Sequence, residues 1–124
     1  MVVPPELRAQ IADHAREELP NEACGLLLVD DDTAVEYVRA ANTAASQYRF
    51  TLFLDPARWA DIGDTELDQA VVHSHPASAP MPSRTDVENI GLFEGRPYLI
   101  YSVRDDALAA WTIANGSFEP LALD

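Results

Sequence analysis

HSHPASAPMPSRTD, residues 73–86, passes from an extended run through a proline-rich loop into the start of a helix. On a strand, residues two apart face the same side, so His73 and His75 present both imidazoles to one point while Ser74 faces away. Pro76 stops the strand, residues 76–82 bring the chain round, and Ser83 opens a helix whose first turn contains Asp86. A carboxylate can thus meet the two imidazoles. Two histidines and one acid, with a fourth position open to water, are the ligand set of catalytic zinc, whereas four protein ligands close a structural site. Each half has an ordinary reading alone: paired surface histidines, or a Ser83–Asp86 helix cap whose acid faces backbone amides. HxHP followed at short range by SxxD is far more specific than either.

The elements around this segment follow from periodicity. Downstream, residues 97–103, 108–113 and 118–123 read as strands, separated by Arg104-Asp105-Asp106 and by the tight-turn pair Asn115-Gly116. Upstream, residues 70–75 form the strand that carries the histidines. Before it, a helical stretch begins after Asp55 at Pro56, carries Trp59, Ile62 and Leu67 on one side, and ends near Asp68. A third, short helix is expected over 83–92. Residues 48–54 read as a strand, and 23–29 and 34–38 as a hairpin about Asp30, Asp31 and Asp32. After Pro4 and Pro5, residues 6–19 place Leu7, Ile11 and Ala15 at helical spacing, and Pro20 ends the pattern. His14, on that helix beside charged residues, reads as an exposed side chain outside the site. Together these elements predict an α+β domain spanning 1–124, built on one curved sheet of mostly adjacent strands.

Charge and composition narrow the function. The 124 residues allow one core and leave no separate substrate-binding module of ordinary size. A formal net charge of −13, from 21 acidic against 8 basic residues, repels phosphate backbones and anionic headgroups, so nucleic acid and membrane are not expected partners. A neutral or basic protein or peptide suits this field better, although an acidic surface also serves solubility. All eight basic residues are arginine, so the chain offers no lysine for conjugation, which biased codon usage explains equally well. Cys24 is the single cysteine, which rules out an internal disulfide and a thiolate zinc site; it reads as buried packing and not a nucleophile. The N-terminal MVVPPELRAQ lacks a positive region followed by an apolar core, so a cytoplasmic protein is the expectation. Nothing in the pattern specifies an oligomeric state.

Asn21-Glu22-Ala23-Cys24-Gly25, His73-Ser74-His75-Pro76 and Ser83-Arg84-Thr85-Asp86 together resemble the signature of the JAMM (MPN+) zinc metallopeptidases, and the elements fall in that family's order along nearly the whole chain. The resemblance implies the MPN/JAMM fold, one curved, mostly antiparallel sheet flanked by about three helices. It implies one zinc per chain, with a bound water, held by His73, His75 and Asp86. Glu22, which alone reads as one more surface carboxylate, becomes the proton-transfer residue, and Ser83 an oxyanion donor as well as a cap. The NEACG and PSRTDV stretches are most similar to short bacterial members, among them a peptidase that removes cysteine from the C-terminus of a sulfur-carrier protein. The implied partner is therefore a small ubiquitin-like or sulfur-carrier protein with a Gly-Gly tail. There is no room for the insertions of the eukaryotic deubiquitinating members, which puts ubiquitin itself in doubt. Two other readings stay open: a non-catalytic MPN scaffold, which the complete residue set disfavours, and a DNA-repair-associated relative, which the charge and the lack of a helical extension disfavour.

Overall fold

The computed structural model describes residues 1–124. Seven strands form one sheet in the order β3-β2-β1-β4-β5-β6-β7. They are β1 (Cys24–Asp30), β2 (Thr33–Asn42), β3 (Leu52–Phe53), β4 (Asp68–His75), β5 (Pro97–Ser102), β6 (Ala107–Ala114) and β7 (Ser117–Leu121). Every neighbouring pair is antiparallel except β4 and β5, which run parallel. A parallel pair needs a crossover, and here that crossover leaves β4 through the proline-rich loop and carries α3 (Arg84–Glu88) and a 3₁₀ turn (Gly91–Phe93). The predicted α+β architecture holds: one mostly antiparallel sheet with α1 (Pro5–Glu17), α2 (Pro56–Asp64) and α3 against it.

Strand alternation divides the interior into two cores. Leu27, Val29, Val72 and Leu99 face α1 and meet its Leu7, Ile11 and Ala15. Leu26, Leu28, Val71 and Ile100 face the other way and pack with Ile62 of α2 and with Val87 of α3. Because side chains on β4 alternate, His73 and His75 share the α2–α3 face with Val71. Hairpins close the sheet where positive φ is tolerated: Asp31 and Asp32 at 45° and 70°, and Asn115 and Gly116 at 55° and 74°. Left-handed residues in pairs give turns whose twist matches that of strands.

Four expectations change, the first being that α2 ends at Asp64 and not near Asp68, where β4 already begins, with Glu66 at φ 59° between them. The strand read over 48–54 contracts to Leu52–Phe53, because residues just before it are engaged by the Asn42 side chain instead of a ladder. The third helix ends at Glu88, since Gly91 adopts φ 51° and the chain continues as a 3₁₀ turn. His14 is not exposed: it is buried, with Nδ1 2.7 Å from the Tyr37 hydroxyl. Its position three residues after Ile11 puts it on the apolar stripe of α1, a placement that the charged neighbours in sequence concealed. Burial, then the charge of Arg39, lowers its pKa, and it stands apart from the other two histidines.

Gly25 explains how Tyr37 reaches His14. A Cβ at Gly25 would sit 2.5 Å from the Val38 carbonyl oxygen and 2.7 Å from the Tyr37 ring, so only glycine lets that ring lie across β1. Gly25→Ala is expected to destabilise the fold by about 1–3 kcal/mol, the usual range for overpacking, read as a lower urea midpoint at unchanged slope.

Candidate metal centre

The centre forms where β1 and β4 meet the crossover. In the antiparallel register Cys24 lies opposite His73. One residue along, the Ser74 amide donates to the Ala23 carbonyl at 3.0 Å, and Ser74 Oγ accepts from the Ala23 amide at 2.8 Å. Ser74, facing away from the imidazoles, thus fixes the backbone beside Glu22. The loop after Pro76 is held from the sheet. Ser102 Oγ donates to the Ser78 carbonyl at 2.7 Å, and Trp111 Nε1 donates to the Pro80 carbonyl at 2.9 Å. It delivers Ser83 as the N-cap of α3, with Ser83 Oγ accepting from the Asp86 amide (3.1 Å) and Asp86 Oδ2 accepting from the Ser83 amide (2.9 Å). This reciprocal capping box orients the Asp86 carboxylate.

All four expected interior groups come together there. His73 Nε2 and His75 Nε2 are 3.1 Å apart; Asp86 Oδ1 is 3.2 Å from the first and Oδ2 3.1 Å from the second. Glu22 Oε1 lies 3.8 Å from His73 Nε2. All four residues are buried, while Ser83 is exposed at the rim. Asp86 also lines a cleft of about 280 Å³, together with Arg49, Phe50, Thr51, Asn89 and Leu92.

The donor set fits a divalent ion. His75 Nδ1 points at the Ala79 carbonyl at 2.9 Å and must donate its proton there, so in the neutral ring Nε2 has only a lone pair to turn towards the carboxylate. Lone pairs converge at this spacing only around a proton or a cation. Tetrahedral donors about 2.0–2.1 Å from one ion lie roughly 3.3–3.4 Å apart, close to the separations seen. One ligand atom from each of His73, His75 and Asp86 lies within 4.8 Å of the others.

The electrostatics agree. Burial pushes the Asp86 carboxyl up, but hydrogen bonds from His73 and His75 outweigh it and hold the group ionised, well below the usual carboxylate range. His73 is lowered by burial against the pull of Asp86, which favours the neutral imidazole that a metal requires. His75 is also desolvated, yet its hydrogen bond to Asp86 raises it. Burial raises Glu22 to about 7, with His75 lowering and Asp86 raising it, and its Oε1 is buried without a hydrogen-bond partner. Cys24 is buried, and desolvation raises its thiol to about 12, so it is a packing residue and no nucleophile.

Several members of this environment were invisible in the sequence. Phe50 stacks on the His73 ring with centroids 4.5 Å apart, and Tyr98 meets it edge-on at 5.1 Å. The Asn42 amide donates to the Glu22 carbonyl at 2.8 Å. None of these carries a motif, and their partners lie at least 20 residues away in every case; only the tertiary fold brings them in.

Known proteins resemble the chain in both sequence and fold. Residues 4–114 match the family described as prokaryotic homologs of the JAB domain. A desampylase from Haloferax volcanii is 36% identical over 107 aligned residues, covering 78% of this chain and 76% of that protein. A CysO-cysteine peptidase from Mycobacterium tuberculosis is 29% identical over 125, covering 94% and 85%. The crystal structure of a JAB1/MPN domain protein from Archaeoglobus fulgidus superposes with a TM-score of 0.63 at 20% identity, over 99% of this chain and 98% of that one, so the fold is the one JAB1/MPN domains share.

Proposed function

Because the chain belongs to the family of prokaryotic homologs of the JAB domain, we propose that it is a zinc-dependent hydrolase. The bond it cuts is an amide after the C-terminal Gly-Gly tail of a small ubiquitin-like or sulfur-carrier protein. Either cysteine or a conjugated protein is released. The observation that carries this reading is the convergence of His73, His75 and Asp86 on one point with the buried Glu22 carboxylate beside it. Relatives named desampylase and CysO-cysteine peptidase support the substrate class.

His73, His75 and Asp86 would hold the metal. Zinc in such a three-ligand site supplies Lewis acidity, polarising a carbonyl and making a water acidic near neutral pH. Glu22 Oε1 takes the proton of the attacking water and returns it to the leaving amine nitrogen. Burial raises its carboxyl above the ordinary carboxylate range, the direction that favours uptake of a proton. The Ser83 hydroxyl uses its oxygen to cap α3, so its proton is free to donate to the carbonyl oxygen as charge develops there. Ser83→Ala is therefore expected to lower kcat by ~10²–10³ and stability by about 0.5–2 kcal/mol through the lost cap. A metal-loaded Ala variant with full turnover would leave Ser83 as a cap alone.

The direct test incubates the zinc-loaded protein with Gly-Gly-tailed sulfur-carrier proteins bearing either C-terminal cysteine or lysine-linked cargo, and reads the products by mass. Loss of cysteine from the first or of cargo from the second assigns the substrate. Stoichiometric zinc with neither product would favour a binding domain of the same fold.

A further inference from the structure

The two histidines of the centre are supported differently. His75 donates its second ring nitrogen to the Ala79 carbonyl, whereas His73 Nδ1 is buried and finds no hydrogen-bond partner on the protein. A histidine that holds a metal ordinarily uses that nitrogen to fix its ring plane. His73 has aromatic contacts in its place: Phe50 lies nearly flat on it, at 22° between planes, and Tyr98 crosses it at 62°. Offset-stacked and edge-on rings are preferred geometries, so they hold orientation as well as bury area.

Phe50 belongs to the wall of the cleft, not to a strand. Arg49 and Thr51 on either side of it line the same cleft. Asn42 brackets it: Nδ2 donates to the Arg49 carbonyl at 3.2 Å, and Oδ1 accepts from the Thr51 amide at 2.9 Å. The same Nδ2 donates to the Glu22 carbonyl. One amide therefore ties the peptide groups around Phe50 to the backbone of the proton-transfer residue.

We propose that Phe50 is a positioning residue for His73, its ring taking the place of a hydrogen bond to Nδ1, and that Asn42 sets it there. The wall of the cleft that Asp86 lines then also orients one metal-holding imidazole. By linkage, occupancy of the cleft and affinity for the metal influence one another equally. The inference rests on His73 being a metal ligand, as read above.

Titration of the metal-free protein with Co²⁺ alone, followed by its visible absorption bands, tests this without any substrate. Phe50→Leu is expected to bind 10–100-fold more weakly, the typical cost of removing an outer-shell support, with altered bands. Phe50→Tyr, which keeps the ring, should recover most of the affinity. Asn42→Asp keeps the acceptor oxygen but removes the Nδ2 donor, and should shift the bands in the same sense as Phe50→Leu. Wild-type affinity and bands in Phe50→Leu would overturn the proposal; if that variant does not fold, unchanged bands in Asn42→Asp do so instead. A wild-type protein that binds no Co²⁺ refutes the metal centre itself, which separates that failure from one confined to Phe50.

Discussion

Glu22→Gln is expected to lower kcat by ~10²–10⁴ while the protein still binds one zinc per chain. The substitution preserves shape, and the backbone that places the side chain is fixed by Asn42 and by the Ala23–Ser74 pair, not by the carboxylate. What disappears is the capacity to take a proton. Glu22 Oε1 has no hydrogen-bond partner to reorganise, and it stands 3.8 Å from His73 Nε2, beside the three-ligand cluster but outside it. Zinc content by atomic absorption and single-turnover cleavage separate the two roles. Loss of zinc together with activity would mean that Glu22 is a ligand, and full activity would mean that the proton moves by another route.

Asp86→Asn is expected to abolish zinc binding, and turnover with it. The amide retains an oxygen that can accept from the Ser83 amide, so much of the capping box survives, but the negative charge facing both imidazoles is gone. A lost ligand should weaken binding by more than the 10–100-fold typical of outer-shell changes. The readout is thermal. A ligand at 100 times its Kd stabilises the native state by about 2.7 kcal/mol, so zinc raises the Tm of the wild-type protein. The variant should melt at the same temperature with or without zinc. A zinc-dependent rise in Asp86→Asn would remove Asp86 from the ligand set.

How much of this the sequence disclosed depends on the range of the interaction. His73, His75, Ser83 and Asp86 were readable because they sit within one strand, loop and helix start, where period two and a capping pattern fix direction locally. Glu22 needed a resemblance: its approach to His73 depends on the pairing of β1 with β4, and no local rule sets that register. Phe50, Asn42, Trp111 and Ser102 are out of reach for the same reason, since each touches a residue far away in sequence that only the tertiary fold brings near. The hairpins were readable from Asp and Asn-Gly turns. The strand expected over 48–54 is mostly replaced because Asn42, a side chain, competes there for the backbone groups that a ladder would use. The burial of His14 is hidden in the sequence because the charged Asp13 and Arg16 near it face water while its own stripe of α1 faces the sheet.

The division of the interior by the sheet has a practical side. The outer surface of α1, around Ala9, Gln10 and Asp13, is exposed and lies behind the sheet from the cleft. The lone native thiol is buried and holds its proton to about pH 12. A cysteine introduced at Gln10 would therefore be the one site that a maleimide dye reaches, and a fluorophore or surface tether attached there leaves the opposite side of the molecule open to incoming protein.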